Sequence, residues 1–327
     1  MAPVRTMKKT AAILALAAFA AIATWSGVEA EPKQLSIGTG DPAGVYYPLG
    51  GAIAGVLARA LPDLHATVEV TGGSVDNIKL IATGHSDLGF TMADAAMDAM
   101  QGLDKFRNDK VELRTLLVVH PNRMHVVTVE GSGIETLADL RNKRVSTGSP
   151  GSATEIMASR AIEAIGLDRD NDIQRERLGV VESVHAISDK RIDAFFWVGG
   201  IPTAAIGTLA TTAGVRMKLI DNADLVDRMN EKYGKLYSKG RIKAGTYPGY
   251  KTDCDVAEVW NLIVTGDRMS NEDAYNIAKT LVEKKADIVK VHKEAESFSL
   301  DNQMQERSPV PFHPGALKYF KEKGVGG

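Results

Sequence analysis

A single cysteine, Cys254, occurs in 327 residues, so no internal disulfide can hold the chain and its cohesion has to come from burial. Charge of one sign is lacking as well. The 39 basic and 41 acidic side chains leave a net charge of −2, which excludes the basic surface of a nucleic-acid or membrane-surface protein. Only one long apolar run occurs, near the N-terminus, and the remainder is expected to be soluble. His85, His120, His125, His185 and His313 form no H-x-x-H or H-E-x-x-H set, so no metal site is expected. A Walker phosphate loop is excluded because Tyr46 and Tyr47 stand where lysine and a hydroxyl residue would have to follow the first glycine cluster.

Residues 1–30 read as a secretory signal peptide. "MAPVRTMKK" is a basic start, "TAAILALAAFAAIAT" falls short of a membrane span, and Val28 and Ala30 offer the small residues of a cleavage site after Ala30. The predicted location is the periplasm. Cleavage removes Arg5, Lys8, Lys9 and Glu29 and leaves 36 basic and 40 acidic side chains, a net charge of −4. No cysteine stands at the cleavage point to carry a lipid, and nearly 300 residues remain, enough for two domains.

The most informative feature is an internal repeat. "LSIGTGDPAG" (35–44) matches "KRVSTGSPGS" (143–152), with Thr39 and Thr147 standing 108 positions apart. Downstream, "TGGSVDNIKLIATGHSDLGF" (71–90) aligns with "GVVESVHAISDKRIDAFF" (179–196). Each copy runs strand, Thr-Gly-Xaa-Pro loop and helix, second strand, Ser-containing loop and helix, then an aspartate (Asp87 or Asp193) leading into a third strand. That is a β-α-β-α-β unit with a parallel sheet. The expected fold class is α/β, with two open lobes whose ligand lies at the carboxyl ends of the strands. Loops 39–44, 71–77, 147–154 and 179–184 are predicted to line one cleft. The segment 113–131 reads as the crossover, with Arg123 at a solvated hinge position, and a return crossing precedes a strand at 256–266. Residues 271–292 are helical by their apolar period. The predicted organisation is lobe 1 over 31–120, lobe 2 over 121–250 and a return to lobe 1 over 251–327.

Gly38-x-Gly40-x-x-Ala43 formally fits a dinucleotide fingerprint. Pro42 removes a backbone donor from that turn, no acidic residue closes a following strand, and the chain is exported, so no cofactor is expected. In "GSPGS", Pro150 occupies the nucleophile position of a G-x-S-x-G elbow. A secreted hydrolase using Ser149 or Ser152 is the less favoured alternative. A small carboxylate suits the loops better: the backbone N–H groups near Gly40 and Gly44 and the hydroxyls of Thr39, Ser74, Ser149 and Ser152 are its expected donors. Asn77 and Gly151 belong to the same loops and join the candidate site. Of adjacent Tyr46 and Tyr47 only one can face the cleft, and Tyr46 is taken as the wall. Trp197 precedes Gly199-Gly200 and Pro202, a break that lets backbone at Gly200 approach a ligand. Asp87 and Asp193 are expected to brace the strands. A bulky β-branched residue at Gly40 is expected to abolish binding and leave the fold cooperative.

"IGTGDPAGVYYPLGGAIAGVL", "SGIETLADLRNKRVSTGSPGSATE", "ISDKRIDAFFWVGGIP", "AGTYPG" and "SPVPFHPGALKYFKEKG" resemble, in that order, the TAXI family of extracytoplasmic solute-binding proteins that serve TRAP transporters. The resemblance implies a two-lobed periplasmic binding protein type II fold with a hinge and an interlobe ligand cleft. It also implies a non-enzymatic monomer that captures a small organic acid of the glutamate, glutamine or 2-oxoglutarate class and delivers it to membrane TRAP permease subunits. A clamp that reports its ligand to a membrane sensor is the alternative. The chain departs from the family pattern in carrying Asp41 in the first loop, Met92 after the third strand and Glu182 near the cleft, which favours a less acidic ligand or one bearing an amino group.

Overall fold

The computed structural model describes residues 32–325; the expected signal peptide lies outside them. The first repeat is β1 (Lys33–Gly38), α1 (Tyr46–Ala60), β2 (Leu64–Glu69), α2 (Ser74–Thr83) and β3 (Leu88–Met92). Helix α3 (Ala93–Gln101) and the long strand β4 (Arg114–Val129) lead to the second repeat. That repeat is β5 (Arg144–Ser146), α4 (Ala153–Ala164), β6 (Gln174–Glu176), α5 (Val180–Ser188) and β7 (Ala194–Gly199). It is followed by α6 (Ala204–Thr211), β8 (Met217–Leu219), α7 (Val226–Tyr233), β9 (Tyr237–Ile242) and the long β10 (Cys254–Thr265), then α8 (Asn271–Glu283), α9 (Lys285–Val289) and α10 (Pro314–Glu322). None of the helices among the described residues is long and apolar enough to cross a membrane.

Both repeats fold alike. β1 lies between β2 and β3, parallel to each, and β5 lies between β6 and β7 in the same way. The third strand of each unit is then joined by a long antiparallel neighbour, β10 beside β3 and β4 beside β7. β4 and β10 pair with each other, so the sheet runs β2-β1-β3-β10-β4-β7-β5-β6. The two lobes share these two strands, and the register of β10 against β4 shifts between Trp260, which pairs with Pro121, and Leu262, which pairs with Val118. The chain therefore crosses between lobes inside strands rather than through loops.

Local chemistry explains the elements. Ser152 caps α4 by accepting from Glu155 N at 3.2 Å, Ser270 caps α8 by accepting from Asp273 N at 3.0 Å, and Gly84 ends α2 in the left-handed conformation. The helix expected over 271–292 breaks at Lys284, where Asp287 N donates to Lys284 O at 2.9 Å and the tightened turn carries Ile288 into the core. One apolar core packs α1, α2, α8 and α10 on the first lobe and continues under α4; a second cluster, with Val184, Ile187, Phe195, Ile206 and Tyr247, lies beneath α5 and α6.

The repeat extends to its aspartate braces. Asp87 Oδ2 accepts from Ser36 N at 2.8 Å, and Asp193 Oδ2 accepts from Arg144 N at 2.8 Å and also holds the Arg144 guanidinium. The Arg144 hydrogen bonds keep the Asp193 carboxyl below its usual range. Asp193→Ala is expected to reduce the unfolding free energy by about 1–3 kcal/mol, because it strands a strand-initiating amide; urea denaturation at neutral pH measures it.

Candidate functional site

All four repeat loops meet around one cavity of about 430 Å³ between the lobes, to which the segments 40–42, 44–46, 70–74, 149–150, 152–154 and 177–180 contribute with Glu182, Met92, Asn122 and the 197–200 strand end. Of the residues singled out in the sequence, Gly40, Gly44, Tyr46, Ser74, Ser149, Ser152, Trp197 and Gly200 line it. Thr39, Asn77 and Gly151 do not.

Those three act behind the wall. Thr39 Oγ1 donates to Glu69 O at 2.6 Å, and Asn77 Nδ2 donates to Thr39 O at 2.7 Å and to Phe90 O at 2.8 Å. Asn77 thereby ties the first loop to β3. Gly151 turns its carbonyl across the cleft to accept from Val75 N (3.0 Å) and Asp76 N (3.2 Å) at the start of α2. Gly44 lines the cavity, but its amide donates to Asp41 O at 2.9 Å and is not the free donor expected. The hydroxyls are engaged too: Ser152 Oγ donates to Ser149 O at 2.7 Å, Ser149 Oγ to Gly72 O at 3.4 Å, and Ser74 Oγ accepts from Met92 N at 3.1 Å.

Tyr46 is the aromatic wall, its ring stacked on Phe90 with centroids 4.9 Å apart, whereas Tyr47 points outward. Burial raises the Tyr46 hydroxyl pKa above its ordinary value. That hydroxyl donates to Asn261 Oδ1, which also accepts from Asn122 Nδ2 at 3.0 Å, while Asn261 Nδ2 donates to His120 O at 3.1 Å. The chain of bonds fixes the Asn122 amide. Its Oδ1, buried, accepts no hydrogen bond. Trp197 lies over Gly44 and donates from Nε1 to Thr203 Oγ1 at 2.9 Å.

Three charged side chains reach the lining. Arg177 is ion-paired from Nε to Glu155 Oε1 at 2.6 Å, and Glu155 also holds Lys105 at 3.0 Å and Arg175 at 2.5 Å. Although burial opposes it, Arg177 and Lys105 keep the Glu155 carboxyl below its usual range. Asp41 and Glu182 have no cationic partner among the described residues; burial, and then Glu182, push the Asp41 carboxyl up, while Ala43 N donates to Asp41 Oδ1 at 2.9 Å. Sequence reasoning missed Arg177 and Asn122, since neither stands in a repeat motif.

Arg123 is not solvated. It is ion-paired to Glu258 at 2.9 Å and to Glu294 at 2.6 Å, and Glu294 also accepts from Ile201 N at 2.8 Å. The hinge is thus clamped by a half-buried charge triad. Farther along the interlobe seam, Arg160 of α4 grips Asp98 of α3 through both carboxylate oxygens at 2.6 and 2.8 Å and donates to Tyr237 Oη at 2.9 Å. Tyr237 Oη donates in turn to Asp94 Oδ2 at 3.0 Å. Burial pushes Asp94 up to about 6 against the pull of Arg160.

The model of the NMT1-like family matches residues 37–324. Among solved structures, the chain is similar to a periplasmic transporter, with 15% identity over 89% of this chain and 92% of that one and a TM-score of 0.56. It is also similar to the periplasmic aliphatic sulphonate binding protein SsuA of Escherichia coli, with 15% identity over 89% and 83% of the two chains and a TM-score of 0.51. A protein of Bordetella bronchiseptica RB50 matches at 16% identity over 89% of each chain, with a TM-score of 0.51. These likenesses are of fold: the chain has the two-lobed α/β architecture of periplasmic binding proteins.

Proposed function

We propose, from the premise that this chain belongs to the NMT1-like family, that it is a periplasmic solute-binding protein which closes on a small molecule and delivers it to a membrane transporter. The observation that carries this reading is the cavity itself, walled by equivalent loops of two lobes that share only two strands. Its volume lies in the range that encloses a small organic ligand. Ser152 is committed to capping α4 and Ser149 to Gly72 O, and no histidine belongs to the lining, which supports a binder over a serine hydrolase.

The finer reading rests on the motif resemblance. It makes the recipient a TRAP permease of the TAXI type and the ligand a small organic acid of the glutamate, glutamine or 2-oxoglutarate class. An acid has a place in the cavity: Ser152, Ala153 and Thr154 bring the first turn of α4, the positive end of a 12-residue helix, to the lining. The named ligands of SsuA, aliphatic sulphonates, are also anions with an apolar tail. We take lobe 1 as 31–120, lobe 2 as 121–250 and the return as 251–327, with both crossings carried by β4 and β10, and Ala30 as the residue before the cleavage site.

Calorimetry with glutamate, glutamine, 2-oxoglutarate and C4 dicarboxylates, alongside amino and des-amino acids with apolar side chains, is expected to give a saturable heat with micromolar affinity for at least one compound. No heat with any of them would remove the receptor reading.

A further inference from the structure

Among the described residues, three side chains on the cavity lining present acceptors that meet no protein cation: Asn122, Asp41 and Glu182. Asn122 Oδ1 is buried and accepts nothing, although its own amide is held in place by Asn261. A buried acceptor of this kind is costly to leave unmet, and a donor brought by a ligand removes the cost. Asp41 and Glu182 are the second acceptor station. Their carboxylates face the same glycine, since a methyl group on Gly179 would run into Glu182 Oε2 and sit 3.2 Å from Asp41 Oδ2. Among the described residues, the one cation on the lining, Arg177, is already bound to Glu155. Val45, Tyr46, Met92, Leu178, Trp197 and Val198 supply an apolar wall.

Resting on the receptor reading above, we infer that the ligand carries a protonated amine and an apolar body, and that Asp41 and Glu182 are the specificity-determining residues that hold the amine. Two unpaired carboxylates repel a second carboxylate on a ligand, so a dicarboxylate meets like charge where an ammonium group meets opposite charge. Glu182 is exposed and Asp41 half-buried, which places the ammonium near the mouth. The carboxylate then reaches the start of α4, and the apolar part lies against Tyr46, Met92 and Trp197. Asn122 Oδ1 takes a further N–H or O–H donor.

The test is calorimetry with matched pairs: L-leucine against 4-methylpentanoate, L-phenylalanine against 3-phenylpropanoate, and L-glutamate against glutarate, on the wild-type protein, Glu182→Gln and the double variant Asp41→Asn, Glu182→Gln. At least one apolar amino acid is expected to bind, tenfold or more tightly than its des-amino partner, and that ratio is expected to collapse in both variants. Glu182→Gln keeps the experiment decisive if the loss of Asp41 disturbs its loop, because Asp41 accepts from Ala43 N whereas Glu182 braces no backbone group. Equal or better binding of a des-amino acid or of glutarate, or an unchanged ratio in the variants, overturns the amine assignment and leaves the receptor reading standing. Silence from every pair and from the acids named above overturns both.

Discussion

Arg160→Met is expected to lower the unfolding free energy by about 3–5 kcal/mol at pH 7, the size of loss seen when one partner of a buried ion pair is removed. The guanidinium faces Asp98 at 2.6 Å and lies 4.0 Å from Asp94, and all three side chains are buried in the seam between α3 and α4. Methionine fills much of the space but leaves two carboxylates without a cation in a weakly polar setting. The loss is expected to shrink at pH 5. Asp94 already titrates near 6 in the folded chain against 3.8 for the unconstrained residue, so the folded state binds more protons than the unfolded state between those values. Its contribution therefore falls as pH rises through that window and recovers as pH falls through it. Without Arg160 both carboxyls move up further, and mild acid neutralises them. Urea denaturation of both proteins at pH 7 and pH 5 measures the gap. An equal gap at the two pH values would mean that Arg160 acts through its packing on Tyr233, where the guanidinium carbon sits 4.5 Å from the ring centroid.

Much of this architecture was legible because the chain is written twice. Thr39 and Thr147 occupy equivalent turns, and each bonds by amide and hydroxyl to the last carbonyl of a neighbouring strand, Glu69 and Glu176. The displacement of 108 residues carries Ser36 onto Arg144, and the aspartate that closes each copy, Asp87 or Asp193, braces that strand start as expected. What the repeat could not show is what lies across the cleft from each copy. Local sequence treats the serine hydroxyls as free donors; the folded chain turns them to backbone groups that the loops leave open. Arg123 looked solvated because its partners, Glu258 and Glu294, come from far along the chain. Arg177 and Asn122 escaped for the same reason, since only the folded sheet brings β4 and the loop after β6 to one hollow.

Gly72→Ala and Gly151→Ala are expected to weaken ligand binding about a hundredfold while the protein remains folded. Helix α2 has no side-chain cap: Gly73 precedes it, and the amides of Val75 and Asp76 are met instead by the carbonyl of Gly151 from the opposite lobe. The helix start is therefore capped only when the lobes are closed, and water takes over when they part. A methyl on Gly72 would lie 2.7 Å from Pro150 O across the cleft and would also meet Asp76 Oδ2 of its own lobe, the far end of a side chain that can swing aside, and one on Gly151 would lie 2.5 Å from Asp76 Cγ across the cleft. Opening relieves the contacts with Pro150 O and from Gly151 to Asp76, so these penalise the closed state and not the fold. A penalty of about 3 kcal/mol on closure corresponds to roughly a hundredfold in affinity. Gly151 has φ +80°, so alanine there also costs about 1–2 kcal/mol of folding stability, whereas Gly72 carries no such strain and serves as the cleaner variant. The bulky substitution at Gly40 expected from sequence to block binding is the less decisive one: a Cβ at Gly40 would sit 3.6 Å from Tyr46 Cδ2, an ordinary contact. Calorimetry with whichever small molecule binds the wild-type protein, and small-angle scattering with and without it, test the latch. Wild-type affinity in a folded Gly72→Ala protein, with the same ligand-induced compaction, would show that the lobes close without the Gly151 carbonyl on α2.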